Sequence, residues 1–353
     1  MLTYQEKNGI DERIKEKKGP DLYLSIRNLL MEEVTRDVES DSPSVRDLAS
    51  RFRRELNILT MKKRDSFQCV AGADAGSQIL PLASRRYAII SALVYSVPSG
   101  ARFFLEPESL SIPNTAGGEK FNGVVNVRRE AKLYETACKY VEMDSEVELL
   151  LVDGPLAFSN RWSMAGRERD RQRLIRAINK LLDICTEENV AVAGVVKRPS
   201  ARYLIYEMGL QDETELSDSF LLLHALGPGE RTDIFSPKSA IRKAVRSSPF
   251  MDAIGCPIYS FYSRMSSEWS IPPVRIDLPT LSLGHLDDVA DYCYGSSFWG
   301  GIPLPIVRAD EEVRISRRLV GEIYGDIVSR AGRNDWEVFH LAPIWGEGRW
   351  MMA

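Results

Sequence analysis

The spacing of apolar positions changes near residue 67. Before it, the repeat is helical. Leu22, Ile26, Leu29, Leu30 and Val34 form one stripe over about 21–38, and Val45, Leu48, Phe52 and Leu56 form another after Ser42-Pro43. Pro suits a first helical turn, where its missing N–H would have no partner anyway. Two amphipathic helices are expected, as a wrap over a core or as a docking surface for a partner. From Phe67 the apolar residues run almost unbroken to Ala73, followed by Asp74-Ala75-Gly76-Ser77. That pattern predicts a strand ending in a tight turn. Residues 87–97 (YAIISALVYSV) and 102–105 predict two more strands joined by Pro98-Ser99-Gly100. Three strands with short links suggest an antiparallel meander.

The period then alternates. Tyr134, Ala137, Cys138 and Val141 stand at i, i+3, i+4 and i+7 and predict a helix over 127–143. The run VELLLV at 147–152 predicts a strand buried on both faces, ending at Asp153-Gly154-Pro155. An Arg-rich helix over about 167–187 and a buried strand over 190–196 follow, the strand ending at Lys197-Arg198-Pro199. A further helix is expected at about 309–331. The order β-β-β-α-β-α-β predicts an α/β protein with a mixed sheet flanked by helices, which is the RNase H-like arrangement. It divides the chain into an N-terminal helical region, 1–66, and a sheet-bearing domain with a C-terminal elaboration, 67–353.

Composition narrows the classes. The 353 residues are 44% hydrophobic and 27% charged, ordinary values for a soluble globular protein. A net charge of -4 excludes a wholesale polycation, but not a basic groove beside an acidic centre. Five scattered cysteines without a CxxC pair read as free thiols in a reducing compartment, and three histidines without ligand spacing exclude a Cys/His zinc site. The N-terminus is polar, and no apolar run reaches the roughly 18 residues a membrane span needs. A cytoplasmic protein with no membrane association is expected.

Asp74 and Asp153 carry the sharpest chemical signal. Each is a carboxylate at the end of an apolar strand, a costly place to bury charge unless it is paired or binds a metal. Two on neighbouring strands make an oxygen-rich site suited to Mn²⁺ or Mg²⁺, and two such ions can clamp a phosphodiester. A third carboxylate should come from the helix before Asp153, where Glu130 and Glu135 are the candidates. The strand covers roughly 20 Å at about 3.3 Å per residue, so an antiparallel helix regains the level of Asp153 after roughly 13 residues at about 1.5 Å each. Counting back from Met143 reaches Glu130. Glu106 and Glu108 are reserve ligands. Lys197, with Arg198 and Arg202, lies at the same sheet end if the strands are parallel, where it would hold a phosphate. Most arginines of the 167–187 helix read as a salt-bridged face. The aromatic group Tyr292, Tyr294, Phe298 and Trp299 is a base-stacking surface or part of the core.

The pieces ADAGS (73–77), LLLVDGPL (149–156), GVVKRPS (194–200) and GGIPLPIVRADEEVRI (300–315) resemble, in order, the NurA family of archaeal and bacterial nucleases. The resemblance implies a Mn²⁺-dependent deoxyribonuclease on an RNase H-like core. It would act on single- and double-stranded DNA with 5′ to 3′ polarity, and cut single strands internally. A homodimer docking on the hexameric HerA translocase, in DNA end resection, is also implied. Asp74 and Asp153 match the family's strand aspartates. The family's helix glutamate falls at Glu135 in a gap-free comparison and tips the choice that way against the geometric Glu130. The family's C-terminal Tyr and His are here Ile302 and Asp310. Asp310 can still bind a hard cation as a fourth carboxylate; Ile302 can donate nothing. The alternative expectation is therefore a catalytically weak or inactive adaptor subunit of a DNA translocase.

Overall fold

The computed structural model describes residues 20–114, 118–144, 146–158, 162, 165–244, 249–298, 300–333 and 341. The chain divides into two compact units, 1–54 and 55–353. The first is built on one 36-residue helix, α1 (Pro20–Glu55). The two helices expected there are continuous. Leu22, Ile26, Leu29, Leu30 and Val34 are exposed along α1, whereas Val45, Leu48 and Phe52 are buried.

The second unit holds one ten-stranded sheet. Its elements are β1 (Ile58–Thr60), β2 (Val70–Pro81), β3 (Arg85–Val97), β4 (Arg102–Phe104), β5 (Glu108–Pro113), α2 (Gly118–Met143), β6 (Leu149–Asp153), α3 (Glu168–Glu187), β7 (Ala191–Val196), α4 (Tyr203–Glu207), α5 (Asp218–Ala225), β8 (Glu230–Thr232), α6 (Pro237–Ala244), α7 (Pro249–Asp252), β9 (Ile258–Ser263), β10 (Val274–Pro279), a 3₁₀ turn (Thr280–His285), α8 (Leu286–Ser296), α9 (Leu304–Val313) and α10 (Arg317–Arg333). The strand order is β1-β8-β9-β10-β7-β6-β2-β3-β4, with β5 also on β3. The central strands β2, β6 and β7 are parallel, and the rest pair antiparallel. This is the expected mixed sheet. Strand β1 lies in the stretch expected to be helical, and β5 was not anticipated.

Alternation along the central strands divides the core into two layers. Ala71, Ala73, Leu150, Val152 and Val192 pack against Tyr134, Ala137 and Val141 of α2 and Leu174, Ile178 and Leu181 of α3. Val70, Leu149, Leu151, Val195 and Ile276 pack on the other side with Val289 and Cys293 of α8 and Ile306 of α9. Strands β6 and β7 are therefore apolar at nearly every position, as a doubly covered strand must be.

Two expectations are corrected. Strand β2 does not turn at Asp74 but runs to Pro81, because β3 pairs with it from Val70↔Val97 to Pro81↔Arg86. The helix expected over 309–331 is two helices, parted between Val313 and Arg317. Among the described residues no helix is long and apolar enough to cross a membrane.

Candidate active site

The site forms where β6 leaves the sheet while β2 continues. The parallel register sets Ala73 opposite Val152, so Asp74 comes alongside Asp153, the last residue of β6. Both fall on the α9 face, since Ala73 and Val152 face α2. Helix α9 brings a third carboxylate, Asp310. It can lie close because Gly72 and Gly76, which flank Asp74 on the same face, carry no side chain. A Cβ on Gly72 would stand 2.1 Å from the Pro305 carbonyl oxygen, and one on Gly76 2.7 Å from that of Val313. One oxygen each from Asp74, Asp153 and Asp310 lies within 4.8 Å of the others.

A fourth carboxylate reaches the same place from α2. Glu130 is 5% exposed and lines a cavity of about 380 Å³ with Asp74, Arg129, Asp153, Trp162 and Asp310. Its Oε1 accepts a hydrogen bond from Arg129 Nη2 at 2.7 Å. Among the described residues its buried Oε2 has no hydrogen-bond partner, and it lies 3.4 Å from where a Gly154 Cβ would stand. Glu135 is elsewhere: Arg173 Nε and Nη2 donate to it at 2.7 and 2.6 Å, and the same guanidinium holds Glu108. The structure thus brings Glu130 to the aspartates and ties Glu135 and Glu108 into an ion-pair network. Glu106 is exposed, and its carbonyl accepts from Lys132 Nζ.

Lys197 follows β7, which runs parallel to β6, and so arrives at the same sheet end. Its Nζ lies 2.6 Å from Asp153 Oδ2 and 3.2 Å from Asp310 Oδ1. Three carboxylates share this one ammonium, and the electrostatics register the shortage. Burial pushes the Asp74 carboxyl up to about 8, with the Asp153 charge adding to it and Lys197 opposing. Burial also raises Asp153, again against Lys197. Burial raises Glu130 in spite of Arg129. Burial would lower Lys197, but Asp153, Asp74 and Asp310 hold it up.

An all-oxygen donor set, crowded enough to resist ionisation and containing a buried oxygen with no partner, fits a hard divalent cation. Asp74, Asp153, Asp310 and Glu130 are the residues that could hold it.

Sequence reasoning missed Arg129 and Trp162, which line the same cavity. It also missed Asp277 on β10. That carboxylate is fully buried; its Oδ2 accepts from the N–H groups of Leu156 and Ala157 at 3.0 and 2.9 Å, and Arg275 and Ser260 satisfy its Oδ1. It pins the turn that follows Asp153. The signal was present in VRIDLP at 274–279, where two charges sit at i and i+2 of an apolar strand. Of the aromatic group, Tyr292 is buried in the core and Tyr294 packs against it, Phe298 is exposed, and Trp299 lies outside the described residues.

A family model for the NurA domain matches residues 41–315. No curated protein matches the chain in sequence. Among solved structures, the NurA nuclease from Sulfolobus solfataricus is similar over 90% of this chain and 98% of that one, at 15% identity and a TM-score of 0.64. A second NurA structure matches 85% of this chain and 97% of its own at 12% identity and a TM-score of 0.57. A NurA structure with manganese matches 84% and 98% at 11% identity and a TM-score of 0.51. At these identities the likeness is one of fold, and that fold is the RNase H-like mixed sheet.

Proposed function

The chain belongs to the NurA family, and from that premise we propose that it is a metal-dependent deoxyribonuclease working at Asp74, Asp153, Asp310 and Glu130. One observation carries the reading: three aspartate oxygens within 4.8 Å of one another, beside the partnerless Glu130 Oε2. The manganese in one NurA structure supports Mn²⁺, with Mg²⁺ as the other candidate. Four carboxylates are enough for two ions.

A divalent cation held there supplies Lewis acidity that neutralises phosphodiester charge and activates water. The chain does the rest. Asp74 and Asp153 are fixed by strand pairing, and Asp310 by the seat of α9 on the two glycines, so the ligands need little reorganisation on binding. Glu130 is held by Arg129 with its second oxygen free. With the aspartates engaged by a cation, Lys197 Nζ would be free to donate to a phosphate oxygen. Asp277 holds residues 156 and 157 and so keeps the turn after Asp153 in place.

The finer parts of the reading follow the family. They are 5′ to 3′ digestion, internal cuts in single strands, a homodimer, docking on a HerA-type hexameric ATPase, and a place in DNA end resection within the cytoplasm. The exposed apolar stripe of α1 supports a surface that meets a protein partner.

The test uses end-labelled single-stranded DNA with Mn²⁺, with Mg²⁺ and with EDTA, for the wild type and Asp74→Asn. Cutting should require metal and vanish in the variant. A folded wild type that cuts under no condition would return the adaptor reading.

A further inference from the structure

Beside the carboxylate centre lies a second cavity, of about 490 Å³, which shares Pro155 and Trp162 with it. The segment after β7 and helix α4 supply Arg198, Arg202, Tyr203 and Tyr206, and β10 supplies Arg275. Among the described residues no carboxylate lines it. Three arginines without a lining acid stand out in a chain of 50 acidic and 46 basic residues.

Two of these arginines are held in place, and the third is exposed. The Arg275 side chain is 4% exposed. Its Nε and Nη2 bond to Asp277 and to the Ala157 carbonyl, and its guanidinium lies 5.1 Å over the Tyr203 ring. The Arg202 guanidinium lies 5.7 Å over the Tyr206 ring, and its Nε is buried without a partner. Arg198 is exposed at the rim. Trp162 meets Phe158 edge-on at 5.1 Å, which holds the indole between the two cavities.

Partly unsatisfied guanidinium groups recognise phosphate oxygens, and flat rings beside them recognise nucleobases. The volume falls in the range of small-ligand sites. Given the nuclease reading above, on which this rests, we propose that this cavity seats the nucleotide adjoining the scissile phosphodiester. Its base lies against Trp162 and Tyr206, and its outer phosphate meets Arg198. A base seated there cannot be paired. The substrate at the centre is therefore a single strand, and a duplex must first open at that nucleotide.

The test measures binding of a short fluorescent single-stranded DNA in EDTA, where nothing is cut, by polarisation. Base–aromatic stacking and one charged contact each predict a change of about fivefold or more. Trp162→Ala, Tyr206→Ala and Arg198→Gln should each raise Kd by at least that factor while keeping the wild-type circular dichroism. One abasic nucleotide, moved along the strand, should weaken the wild type at a single position and leave Trp162→Ala unaffected. Tyr206 and Arg198 stand away from the main core, so they decide the matter if Trp162→Ala misfolds. Folded variants that bind intact and abasic DNA as the wild type does would overturn the proposal. Cutting by the wild type with Mn²⁺ is scored separately. Activity with unaltered variant binding sinks the cavity alone, whereas wild-type binding of the expected kind without any cutting sinks the nuclease reading and leaves the cavity as a nucleotide site.

Discussion

At the scale of single residues, the proposed chemistry rests on carboxylates held where they resist ionisation. Asp74 is raised to about 8 by burial and by Asp153. A folded-state pKa above the unfolded value means that the native state takes up a proton between about pH 4 and pH 8. Without metal, stability should therefore fall as pH rises through that window and level off above it. Asp74→Asn removes the Asp74 part of this dependence. In EDTA at pH 8.5 it should unfold at higher urea than the wild type, by about 1–4 kcal/mol, and the gap should close toward pH 4. The two candidate glutamates should also separate. Glu130→Gln should leave the fold intact and lower Mn²⁺ affinity by about tenfold or more, read by calorimetry. Glu135→Gln should leave metal binding unchanged and cost about 1 kcal/mol in urea, because Glu135 belongs to a partly exposed pair with Arg173. The reverse result would restore Glu135 to the site. Counting rise per residue places Glu130 at the level of the aspartates, where it lies, since strand and helix lengths are nearly fixed. The lean to Glu135 took no account of Arg173, one helix away, which pairs with it.

At the scale of elements, the continuous strands and long helices were readable because each buries one face or both, and burial imposes a period. What escaped was decided by partners distant in sequence. Gly76 read as a turn residue; it is the clearance for α9, more than two hundred residues later. The end of β2 read as Asp74, because nothing local shows that β3 goes on pairing after β6 has left. Asp310 was visible as a carboxylate on a predicted helix, but its approach to Asp74 depends on Gly72 and Gly76. Gly72→Val tests that dependence. A side chain there must displace the backbone at Pro305, so a loss of about 2–4 kcal/mol in urea is expected together with weaker Mn²⁺ binding. Lost stability with unchanged metal affinity would mean that Asp310 does not ligate.

At the scale of the whole molecule, bound metal and folding are linked. The four carboxylates meet only in the folded chain, so a cation that binds them stabilises the native state by mass action. At a free Mn²⁺ concentration of 100 Kd the gain should be about 2.7 kcal/mol over EDTA, measured by urea unfolding, and Asp153→Asn should lose most of it. Equal stability with and without Mn²⁺ would mean that no cation is held by the folded site. The overall architecture was legible from the alternation of periods. The division at residue 54 was not, since α1 carries apolar stripes at helical spacing in both its exposed and its buried stretches.

The seat of α9 on two glycines has one more consequence. Asp74 sits inside a strand whose pairing with β3 continues past it, Asp153 closes another, and Asp310 is carried on a helix pressed against backbone. Such a frame has little freedom to dilate. Calcium asks for six to eight oxygens at about 2.3–2.6 Å, while magnesium asks for fewer at about 2.0–2.1 Å. A cage of this stiffness sorts cations by ionic radius, and calcium, too large for it, should neither support cutting nor displace manganese.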